Sequence, residues 1–125
     1  MKCLDTSVAV DHLRGVPAAF DLLRRTLDEG EAVVASEVVR FELLAGVRDD
    51  ERDDLEQFFS VLSWFAVDES VTRTAGLLAR GHRRAHRGID DADYLIAATS
   101  IILGAELFTM NVRHFPMLTG LRPAY

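Results

Sequence analysis

Four short apolar runs set the terms for any fold this chain can adopt: "MKCL" at 1–4, "AVVAS" at 32–36, "FAV" at 65–67 and "AELFTM" at 105–110. Each is too short for a helix, and between them hydrophobic residues return at three- and four-residue spacing. Continuously apolar strands are buried on both faces, and strands separated by helices run parallel. The expectation is one α/β domain over residues 1–125, with helices on both sides of a central parallel sheet of four to five strands.

The intervening segments read as helices with recognisable ends. "TSVAVDHLRG" stops at Gly15, with Thr6 or Ser7 as its cap. Pro17 opens a second helix that stops at Gly30, its stripe running through Phe20, Leu23 and Leu27. Ser36 is placed to cap "EVVRFELLAG", with Val38, Phe41, Leu44 and Ala45 on one side. "LEQFFSVLSWF" and residues 70–86 are further amphipathic helices, and the segment opening at "DDAD" runs to about Leu103 before Gly104. "NVRHFP" is a turn or short helix, and "LTGLRPAY" supplies one edge strand.

A lone cysteine, Cys3, excludes an internal disulfide and suits a reducing compartment. Its apolar neighbours make it a small buried hydrophobe. With no charged-then-apolar leader, and an apolar run (Tyr94 to Ala105) shorter than the roughly 18 residues of a membrane span, a soluble cytoplasmic protein is expected. The net charge of −6 argues against unaided binding to nucleic acid. The charge is uneven, however. Residues 80–88, "RGHRRAHRG", hold four arginines and no acid. Such a run is either a solvated helix face or a surface that meets phosphates.

In parallel sheets, sites form beyond the carboxyl ends of the strands. Asp5 follows the first run directly and Asn111 follows the fourth, although an aspartate at that place also serves as a helix cap. Glu42 lies about two turns inside its helix, too deep for capping. Facing inward it needs a partner; facing outward it is merely solvated. The cluster Asp90, Asp91 and Asp93 exceeds what one cap requires, since first-turn acids gain under about 1 kcal/mol each from the helix dipole. Asp93 shares a helical face with Asp90 and Ala97, whereas Asp91 points away. Carboxylates converging in one pocket repel one another, and a divalent cation with hard oxygen ligands relieves that repulsion. Neither a zinc-type Cys/His spacing nor a Gly-rich phosphate loop is present.

Four motifs fall in order across nearly the whole chain: "LDTSVAVDHLRG", "SEVVRFELLAG", "DDADYLIAATS" and "LFTMNVRHFPMLTGL". Together they resemble PIN-domain proteins, specifically the VapC-type toxins of bacterial toxin–antitoxin pairs. The resemblance implies a three-layer α/β/α PIN-like fold and a Mg2+- or Mn2+-dependent endoribonuclease that hydrolyses RNA phosphodiester bonds. It makes Asp5, Glu42 and Asp93 the catalytic, metal-holding acids. Thr6, Ser7, Asp91, Thr109 and Asn111 are expected in support, and Arg83, Arg84 and Arg87 against the RNA backbone. It also implies a VapB-like antitoxin partner and a homodimer or larger toxin–antitoxin assembly. One position departs from the pattern: His114 stands where many relatives carry an acid. That departure favours one firmly bound ion, with Asp90 or Asp91 supplying supporting hydrogen bonds. It also leaves room for a catalytically weak PIN-like module that mainly binds a protein partner.

Overall fold

The computed structural model describes all 125 residues. Four strands, β1 (Lys2–Leu4), β2 (Val33–Ser36), β3 (Ser63–Phe65) and β4 (Glu106–Phe108), form one sheet in the order β3-β2-β1-β4. Every neighbouring pair is parallel. All four residues of β2 are buried. Alternate side chains of a strand point to opposite faces, so helices must cover both sides of the sheet, which makes three layers. The helices are α1 (Thr6–Leu13), α2 (Pro17–Asp28), α3 (Glu37–Gly46), α4 (Arg52–Ser60), α5 (Glu69–His82) and α6 (Asp91–Leu103).

The strand order creates the place for a site. From β1 the chain steps outward through β2 to β3, then returns to lay β4 on the other side of β1. The chain therefore leaves β1 and its edge neighbour β4 along different routes at their carboxyl ends, leaving a crevice there. Asp5 and Thr109 are the first residues beyond those two strands. The Asp5 N–H donates to the Phe108 carbonyl at 3.0 Å, which binds the two strand ends together.

Cys3 is fully buried in the main core, and burial pushes its thiol up to about 12, so it remains a protonated hydrophobe. Ser36 caps α3 as expected, its hydroxyl accepting from the Val38 N–H at 3.1 Å. Gly104 ends α6 in the left-handed conformation at φ 61°, turning the chain straight into β4.

Several sequence expectations are corrected. Thr6 and Ser7 do not cap α1; Asp5 occupies the cap position, and no side chain there bonds the helix N–H groups. The buried face of α3 carries Val39 and Leu43, while Phe41 is 70% exposed. The third strand is Ser63–Phe65 rather than "FAV", because α4 stops at Ser60. Helix α5 ends at His82, short of residue 86. No edge strand forms after β4; the tail is tied back by the Ala124 N–H donating to the Thr109 carbonyl at 2.9 Å.

Candidate active site

Asp5 is only 4% exposed, and an ionised carboxylate so deep must be compensated by donors. Two hydroxyls provide them. Ser7 donates to Asp5 Oδ2 at 2.7 Å and Thr109 donates to the same oxygen at 2.6 Å. The hydroxyl oxygens are fixed in turn by backbone: the Met110 N–H donates to Ser7 Oγ at 3.1 Å, and the Asn111 N–H to Thr109 Oγ1 at 3.0 Å. The start of α1 and the loop leaving β4 thus form one network around Asp5 Oδ2. No protein donor engages Oδ1.

Asp93 sits in the first turn of α6, half-buried. Its Oδ2 accepts from the Asp90 N–H at 3.3 Å and lies 3.1 Å from His114 Nδ1. Burial raises its pKa above the ordinary carboxylate value; the Asp90 N–H and His114 oppose the rise, and the charges of Asp5 and Asp90 add to it. The influence of Asp5 places the two carboxylates within electrostatic reach of each other across the crevice.

Glu42 arrives from α3. Thr6 donates to its Oε1 at 2.7 Å, which brings this glutamate beside the residue following Asp5. Glu42 is half-buried beside Leu43, on the helix face that also carries the buried Val39. No three His, Cys, Asp or Glu side chains are gathered closely enough to hold one ion between them. The convergence of Asp5, Glu42 and Asp93 is looser than joint direct ligation.

The remaining candidates divide. Ser7 and Thr109 hold Asp5, and Thr6 holds Glu42. The Asn111 side chain is exposed, its contribution here being its backbone N–H. Asp91 faces solvent and pairs with Arg83 at 2.7 Å, away from Asp93. Arg84 and Arg87 are exposed in the turn before α6, without a carboxylate partner. The residue that sequence reasoning undervalued is His114, noted only as a missing acid; in the structure it is the side chain that touches Asp93.

A model of the PIN domain matches residues 2–117. The chain belongs to the PIN-domain family.

Its relatives place this PIN domain in the VapC branch. Ribonuclease VapC19 of Mycobacterium tuberculosis is 58% identical over 125 residues, covering the whole of both chains. Ribonuclease VapC10 of the same organism is 38% identical over 125 residues, covering all of this chain and 93% of that one. The fold also superimposes on a chain of VapBC2 from Rickettsia felis bound to a DNA fragment from its promoter. The TM-score is 0.81 at 23% identity, covering 96% of this chain and 94% of the other. In this PIN domain the acid of the first motif lies where β1 and β4 end, and the acid of the third motif stands in the first turn of α6.

Proposed function

We propose that this PIN domain is the toxic component of a toxin–antitoxin pair and acts as a Mg2+- or Mn2+-dependent endoribonuclease. The observation that carries the reading is the buried Asp5, held by Ser7 and Thr109 where β1 and β4 end, in a chain 58% identical to a named ribonuclease.

The donor set fits a hard divalent cation. Asp5 Oδ1 and Asp93 Oδ1 accept no protein hydrogen bond, while the other oxygen of each carboxylate is oriented by neighbours. Magnesium typically keeps several waters and takes one or two carboxylates, so two aspartates suffice without a cage of three acids. Bound there, the cation would polarise the scissile phosphate and lower the pKa of a coordinated water.

The chain's own residues do the rest. Ser7 and Thr109 hold Asp5 in one rotamer, and the Asp90 N–H does the same for Asp93. Glu42, fixed by Thr6, orients the attacking water or takes its proton. Arg84 and Arg87 meet the RNA backbone and offset the acidic surface.

The partner is a VapB-like antitoxin. A groove of about 560 Å³ lined by His12, Phe20, Phe58 and Val61 offers an apolar seat for its segment. An arginine from that segment would satisfy the Asp5–Asp93 pair in bidentate fashion.

The test is to map new 5′ ends across total cellular RNA after induction, with Asp5→Asn as control. The reading requires discrete cleavage sites that vanish in the variant. Identical RNA profiles for both proteins would refute it and favour a protein-binding module without nuclease chemistry.

A further inference from the structure

We propose that Tyr125 is a positioning residue for the cleavage reaction. Bonded to Asp11, it holds α1 against the loop beyond β4, so that Ser7 and Thr109 converge on Asp5. The inference rests on the nuclease reading and extends it to a side chain bonded to none of the three acids.

Asp5 Oδ2 takes its two hydroxyl donors from different elements: Ser7 stands in the first turn of α1, Thr109 in the loop leaving β4. The two hydroxyl oxygens lie 3.4 Å apart. Both reach one carboxylate oxygen only while helix and loop keep their spacing, because a hydrogen bond weakens steeply once bent or stretched. Two consecutive residues hold that spacing. The Ala124 N–H donates to the Thr109 carbonyl at 2.9 Å, and the Tyr125 hydroxyl donates to Asp11 Oδ2 at 2.5 Å. Asp11 stands one helical turn beyond Ser7, on the same face of α1. Ala124 is thus tied to the loop and Tyr125 to the helix, one peptide apart. Both residues are partly buried and pack against the main core, which gives the strap a firm seat. Burial, helped by Asp11, pushes the pKa of the Tyr125 hydroxyl up, so it stays a donor throughout the neutral range.

A carboxylate fixed in one rotamer presents its free oxygen in one place. Released from either hydroxyl, Asp5 swings, and a misplacement of about 1 Å in an active site can cost on the order of a hundredfold in rate. The loss falls on kcat, because the strap touches none of the arginines placed against the RNA backbone.

The test measures RNA cleavage by the full chain at saturating Mg2+ or Mn2+, with amide hydrogen exchange on the same proteins. Tyr125→Phe and Asp11→Ala should each lower kcat about tenfold, with KM within about twofold of wild type. The double variant should fall no further, as members of one bond do. Asp11→Asn, which keeps an oxygen to accept from Tyr125, should restore most of the rate. The Met110 and Asn111 amides, which donate to the Ser7 and Thr109 hydroxyls, should exchange faster in Tyr125→Phe and Asp11→Ala. Gly104→Ala, which loosens the fold at the far end of α6, should change neither kcat nor those two amides. Wild-type kcat in Tyr125→Phe, unchanged exchange at Met110 and Asn111, or an equal loss in Gly104→Ala overturns the inference and leaves the nuclease reading standing. A wild-type chain that cleaves no RNA overturns that reading as well.

Discussion

Thr109 donates its hydroxyl to Asp5 Oδ2 at 2.6 Å across 104 residues of sequence. The first strand's acid and the last strand's exit are thereby one unit. A hydrogen bond to a buried charge contributes roughly 1.5–3 kcal/mol. Thr109→Val should lower unfolding free energy by about that much, measured by urea titration, whereas Thr109→Ser, which keeps the hydroxyl and loses only a buried methyl, should cost about 1 kcal/mol.

Asp93 carries the opposite sign. Burial raises its pKa, so the folded chain holds this proton more tightly than the unfolded chain does. Between the unfolded value of 3.8 and the raised folded one, stability falls with increasing pH, and at neutral pH the full penalty remains. Asp93→Asn should therefore raise the metal-free melting temperature at pH 7 and leave it nearly unchanged near pH 3. Added divalent cation should stabilise the wild type and not the variant.

Arg84 and Arg87 are exposed and unpaired, whereas Arg83 is engaged by Asp91 at 2.7 Å. In an Asp5→Asn background, Arg84→Ala and Arg87→Ala should each weaken RNA binding. Each should also reduce the slope of log K against log salt by roughly 0.7. Arg83→Ala should change it less. Filter binding across a salt series measures all three.

Gly104 takes φ 61° with open space where a side chain would sit. The cost of Gly104→Ala is then conformational alone, roughly 1–2 kcal/mol. Thermal unfolding should show that loss without any change in metal affinity, because the distortion lies at the far end of α6 from Asp93.

Much of the fold is legible in the sequence alone. The apolar runs announced a parallel sheet because a strand such as β2, buried on both faces, has no polar alternation to disguise it. Asp5 stands out by position, directly after a strand, whereas Asp93, expected to exceed what capping requires, closes a capping box by accepting from the Asp90 N–H. Glu42 obscures the inner face of α3: half-buried beside Leu43, its charge breaks the apolar pattern, and the apolar residues alone trace a stripe through Phe41, which faces solvent. The boundary between α4 and β3 was hidden for a related reason, since "FFSVLSWF" is apolar throughout and periodicity cannot divide it. The tail carried too little pattern to show that it closes with a single backbone bond instead of a strand. His114 looked like a loss because its partner lies 21 residues away and only the fold brings them together.

Most direct of all is the initial rate of RNA cleavage by purified protein as Mg2+ or Mn2+ is titrated, for the wild type, Asp5→Asn and Asp93→Asn. Saturable metal-dependent cleavage that drops at least about a hundredfold in each variant is the result expected of an acid pair that holds the ion. Equal rates in all three proteins, or cleavage indifferent to chelation, would contradict it.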